Sequence, residues 1–88
     1  MNGMHVPERY ENNAGLLTVC TRAVALELSP EEIHQAYLDL RRKMKKQDPR
    51  NPDLWSTEVR GEKVWGILDR RAGPGGEDVL TILFPSDY

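Results

Sequence analysis

The stretch Leu28 to Gln47, LSPEEIHQAYLDLRRKMKKQ, constrains the fold more than any other part of the chain. Ser29 is placed to cap a helix, Pro30 falls at its first position and Glu32 at its third. That spacing is a capping box: the serine oxygen accepts one orphan backbone N–H while the glutamate accepts another. Leu28, just before the cap, and Ile33, at the fourth position, form a hydrophobic staple. Ile33, Ala36, Tyr37, Leu40 and Met44 then recur at intervals of three and four, which makes one apolar stripe. Leu38 is the large apolar residue left on the polar side. Asp48 and Pro49 close the element, because the residue before proline is driven out of helical backbone. The pattern predicts a helix from Pro30 to about Gln47.

The elements around it follow from composition and alternation. Residues 16–24 alternate as a strand would, with Thr18, Val19 and Thr21 favouring that state, although Leu16, Val19, Cys20, Ala23 and Val24 also fit a short first helix. Leu54 to Val59 reads as a short strand and Arg60–Gly61 as a tight turn. Lys63–Asp69 and Asp78–Phe84 are rich in strand formers and flank RRAGPGGE, whose glycines and proline supply a hairpin loop. Setting Arg70 opposite Glu77 pairs Leu68 with Val79 and Trp65 with Ile82. Both faces of that ribbon are then apolar, so each needs a cover.

These elements predict a two-layer α+β domain: one long helix on an antiparallel sheet of three or four strands, in the order β-α-β-β-β. Its boundaries are 16–88. Residues 1–15, polar and broken by Gly3, Pro7, Asn12 and Asn13, read as a flexible N-terminal arm anchored by Tyr10. The helix stripe is expected to meet Val64, Leu68, Val79 and Leu83, or their opposite-face neighbours.

The length of 88 residues suits a single domain with a thin core. Twelve Lys and Arg against 14 Asp and Glu leave a net charge of −2, so no global field draws the chain to nucleic acid. One cysteine rules out a disulfide within the chain and points to a reducing, cytoplasmic setting. The N-terminus does not read as a secretory signal. The most apolar stretch, residues 15–28, is interrupted by Thr18, Thr21, Arg22 and Glu27 and is unsuited to a membrane.

Chemistry-bearing residues are sparse. Arg41, Arg42, Lys43, Lys45 and Lys46 form a basic cluster at the helix end. Cations there complement the helix dipole and make a solvated face, and the same cluster could meet an acidic protein or phosphates. Arg70 and Arg71 make the hairpin tip cationic. Trp55, beside a proline-stiffened loop, divides evenly between core packing and an interface anchor; Trp65, in mid-strand, reads as core. These give Arg41, Arg42, Lys45, Lys46, Arg70, Arg71 and Trp55 as candidate partner-binding residues. His5 and His34 with Cys20 lack metal-ligand spacing, so neither a metal nor a cofactor is expected. Cys20 lies among apolar neighbours, where thiols are inert. GPGG lacks the lysine and hydroxyl residue of a phosphate loop. No residues stand out as a catalytic set.

The run TVCTRAVALELSPEEIHQAYLDL, then LWSTEV, then LTILFPSDY, resembles small uncharacterised proteins of phages and mobile elements. The resemblance is one of element order and short phrases over about three quarters of the chain. It implies phage or mobile-element biology, in which small proteins often act by binding and blocking a host protein. The sequence therefore reads as a non-enzymatic protein-interaction module, with a nucleic-acid-binding accessory role as the alternative and homodimerisation through the second hairpin face open.

Overall fold

A computed structural model describes residues 11–13, 15–46, 50 and 52–88, with side chains from Gly15 onward. Its elements are β1 (Glu11–Asn13), β2 (Leu16–Cys20), α1 (Arg22–Glu27), α2 (Pro30–Lys43), β3 (Leu54–Val59), β4 (Glu62–Asp69) and β5 (Asp78–Leu83). A short 3-10 turn, Pro85–Asp87, follows. The fold is α+β, with four principal strands extended at one edge by the three-residue β1. Of the expected arm, Glu11–Asn13 form this edge strand; residues 1–10, Tyr10 and His5 among them, lie outside the described residues.

The capping box forms as the spacing requires. The Glu32 N–H donates to Ser29 Oγ at 3.1 Å, and the Ser29 N–H donates to Glu32 Oε1 at 2.8 Å. Leu28 and Ile33 are both buried, at 5% and 1% exposure. The helix ends at Lys43, earlier than Gln47, and Gln47 itself is outside the described residues. Both readings of residues 16–24 hold in part: a strand runs to Cys20, and Thr21 then caps the six-residue α1. The Thr21 side chain accepts the Val24 N–H, and the Leu28 N–H closes the helix on the Val24 carbonyl.

The sheet order is β1-β2-β5-β4-β3, and it is mixed rather than antiparallel. β2 and β5 pair in parallel, while the other neighbours are antiparallel. The cause is the helical connection. After β2 the chain crosses one face of the sheet through α1 and α2 and enters β3 at the far edge, running in the direction of β2. Parallel strands need such a crossover. The meander β3-β4-β5 then returns to the centre, so β5 lies beside β2 with the same polarity.

The hairpin register differs by one residue from the expected one: Leu68 pairs with Leu80, Asp69 with Val79 and Trp65 with Leu83. The loop sets this offset. Arg71 takes a left-handed backbone (φ 56), and its N–H donates to Asp78 Oδ1 at 2.9 Å. A one-residue slip moves every side chain of a strand to the other face. Leu80 and Ile82, not Val79 and Leu83, therefore join Val64 and Leu68 beneath the helices.

The core between the layers gathers Leu16, Cys20, Val24, Leu28, Ile33, Ala36, Tyr37, Leu40, Val64, Leu80 and Ile82. Each large aliphatic among them contributes roughly 1.5–3 kcal/mol by leaving water. Gly66 lets α2 approach the sheet: a Cβ there would lie 2.9 Å from Leu40 Cδ1. The opposite sheet face carries Leu17, Val19, Leu54, Trp65, Ile67, Val79, Thr81 and Leu83, as the strand pairings require. Trp65 is half-buried there, with the Tyr88 ring edge-on at 5.9 Å between centroids.

Candidate interaction surface

The topology brings three cationic segments to one end of the sheet. α2 starts beside the carboxyl end of β2 and runs back to where β3 begins. The Trp55 indole N–H donates to the Lys46 carbonyl at 2.9 Å, which fastens the helix end to β3. The Leu68 N–H donates to the Asp53 carbonyl at 2.9 Å, and Arg70 Nη2 reaches Asp53 Oδ1 at 3.2 Å. Arg41 to Lys46, Arg50 and the Arg70–Arg71 turn therefore share a pole, interspersed with Asp39, Asp53, Asp69, Glu77 and Asp78. Glu27, Glu31, Glu32, Glu62 and Asp87 lie toward the opposite pole, with Arg22, Arg60 and Lys63. A chain of small net charge is thus electrically polarised along the sheet, and local potential rather than net charge governs what each end attracts.

The basic residues are not equivalent. Arg41 is half-buried: its Nη1 donates to the Tyr37 hydroxyl at 2.8 Å, and its guanidinium carbon lies 5.7 Å from that ring's centroid. This is cation–π distance, so packing and charge act together. Arg42 pairs with Asp39, whose other oxygen accepts the Thr57 hydroxyl at 3.0 Å. Lys43 crosses to β3 and donates to the Ser56 carbonyl at 2.7 Å. Lys45, Lys46, Arg70 and Arg71 are exposed. Trp55 is 9% exposed and belongs to the core, so its even division resolves toward packing and it offers no outward anchor.

The opposite pole has its own cleft of about 500 Å3, between Glu27, Leu28, Arg60, Lys63, Phe84 and Ser86. Its arginine is engaged in structure. Arg60 Nε lies 2.6 Å from Glu32 Oε2, and Nη2 donates to the Glu27 carbonyl at 2.9 Å. The backbone bond from Ser29 and the nearby Arg60 guanidinium hold the Glu32 carboxyl below its ordinary value of 4.5. Arg60 and Gly61 both take positive φ, 52 and 80, the geometry of a two-residue primed hairpin turn. This end is a joint that locks the β3–β4 turn to both helices.

Among the described residues, no three histidine, cysteine, aspartate or glutamate side chains are grouped to hold a metal ion. Cys20 is fully buried. His34 is exposed and stacks on Tyr37, with 6.0 Å between ring centroids. No helix among the described residues is long and apolar enough to cross a membrane. Sequence reasoning passed over Asp39, which ties α2 to β3, and Asp53, which ties the loop to the hairpin tip. Asp39 and Arg42 at a spacing of three signalled the first; the second pairing spans 17 residues and has no local signal.

No protein-family model, curated protein or solved structure matches the chain.

Proposed function

We propose that the chain is a non-enzymatic protein-interaction module whose basic pole engages an acidic surface of a partner protein. The observation that carries this reading is the convergence of the α2 end with the Arg70–Arg71 turn, held by the Trp55–Lys46 and Arg70–Asp53 contacts. Complementary charge of this kind steers encounter and selects partners. The interspersed carboxylates favour a patterned protein surface over a uniform row of phosphates. A cytoplasmic inhibitor or adaptor of a host protein, in the phage or mobile-element setting that the resemblance implies, is the form this module takes.

Affinity capture from a bacterial lysate tests it. The wild-type chain retains a partner that a folded Lys45→Glu/Lys46→Glu/Arg71→Glu variant loses. Equal retention by both, or none by either, counts against the reading.

A nucleic-acid accessory role is the second reading, favoured by the exposure of Lys45, Lys46 and Arg71. It requires DNA or RNA binding at low salt that weakens steeply as salt rises. It also requires that alanines at Arg41, Arg42, Lys45 and Lys46 reduce that binding. Affinity unchanged by those alanines excludes it.

A further inference from the structure

Among the described residues, β3 is the outer strand of the sheet, paired with β4 alone. The Asp53 carbonyl takes the Leu68 N–H, so the alternation of an antiparallel ladder turns residues 53, 55, 57 and 59 toward β4. The backbone groups of Leu54, Ser56 and Glu58 then point outward. The Ser56 carbonyl confirms the direction, because it accepts the Lys43 ammonium from outside the sheet. Ser56 and Glu58 are exposed. A row of outward N–H and C=O groups is a template for another strand, and lysine on such an edge is a common guard.

Two recesses flank this edge, one on each face. On the helix side a cavity of about 500 Å3 lies between Asp39, Lys43, Ser56, Thr57 and Glu58. On the other side a shallower one of about 260 Å3 is bounded by Pro52, Leu54, Ile67 and Tyr88. The first is polar and the second has an apolar floor. Successive side chains of a strand point to opposite faces, so a strand laid on β3 would send alternate residues toward each recess.

We propose that the β3 edge docks an extended segment of the partner protein as an added strand, with a carboxylate facing Lys43 and an aliphatic residue facing Leu54 and Ile67. This rests on the interaction-module reading and names the partner's chemistry. The incoming strand's N–H takes over the Ser56 carbonyl, and the displaced Lys43 ammonium turns to the incoming carboxylate. Asp39, which lines the same cavity, is held by the Thr57 hydroxyl and by Arg42. Lys43 thereby acts twice: it shields the edge from indiscriminate pairing, and it selects an acidic strand.

The probe is an acetylated, amidated peptide alternating glutamate and valine, with a lysine–valine peptide as control, added to the full chain. The expected result is slowed amide exchange at Ser56 and Glu58 with the acidic peptide. Ser56→Pro abolishes the protection at Glu58: it removes an outward N–H that the β3–β4 ladder does not use and places a ring on the edge. Lys43→Glu tests selectivity without touching the backbone, and shifts preference toward the lysine–valine peptide by about fivefold or more. Peptide binding that leaves Ser56 and Glu58 exchange unchanged overturns the proposal. So does concentration-dependent protection without peptide, accompanied by dimer in light scattering, which makes a second copy the occupant. If binding at Lys45, Lys46 and Arg71 survives Ser56→Pro undiminished, the edge proposal fails while the basic-pole reading stands. If the Lys45/Lys46/Arg71 reversal leaves binding intact, the basic-pole reading is the one that fails.

Discussion

The Thr21 hydroxyl donates a 2.8 Å hydrogen bond to the Asp87 carboxylate, joining the cap of α1 to the closing 3-10 turn across 66 positions of sequence. The same Asp87 oxygen accepts the Phe84 N–H at 3.1 Å. One carboxylate therefore ties β5's exit to β2's exit. Asp87→Ala leaves a fully buried hydroxyl and a backbone N–H without that partner. The expected loss is about 1–3 kcal/mol, read as a lower denaturation midpoint with an unchanged slope.

Gly66 faces Leu40 and Leu80, both fully buried, and a methyl group there would press on both. Gly66→Ala is expected to destabilise by about 1–3 kcal/mol through overpacking. Thermal melting checks it; the pairing Leu40→Ala with Gly66→Ala should recover less than additive loss, because the two share one space.

Thr18 is fully buried on β2, opposite Leu80, and its Oγ1 has no hydrogen-bond partner among the described residues. Thr18→Val keeps the branched shape and removes the desolvated hydroxyl. Stability should rise by about 1 kcal/mol, visible as an increased Tm.

Glu32 sets an acid-side dependence. Its folded-state carboxyl titrates below 4.5, through the backbone bond from Ser29 and the attraction of Arg60. A depressed carboxyl contributes stability above its unfolded pKa and loses it as pH falls through the native value. Wild-type stability should therefore drop below about pH 4.5 by more than that of Glu32→Gln. Denaturant midpoints at pH 3 and pH 7 for both chains give the comparison. Ser29→Ala, which breaks the other half of the box, should cost about 1 kcal/mol at both pH values.

What the sequence made legible divides along physical lines. The capping box and stripe of α2 are local: Ser29, Glu32 and Ile33 lie within four residues, so their geometry is written in their spacing. The strands at 54–59 and 62–69 also follow from local preference. The parallel β2–β5 pair does not, because strand polarity depends on where α1 and α2 carry the chain. The hairpin slip was hidden in the left-handed conformation of Arg71, which no glycine marks. For the surface, the cations themselves were evident, but their assembly at one pole depends on Trp55–Lys46 and Arg70–Asp53, contacts 9 and 17 residues apart. Trp55 looked equally like an anchor, since its burial depends on the packing of α2 over β3.

The direct test of the basic pole as the working surface is an amide chemical-shift map of the labelled chain titrated with the glutamate–valine peptide. The account predicts shifts confined to the Arg42–Lys46 turn, β3 and the Arg70–Arg71 turn, fading as salt rises. Shifts centred on Glu27–Glu32 and Glu62, or none at millimolar peptide, would contradict it.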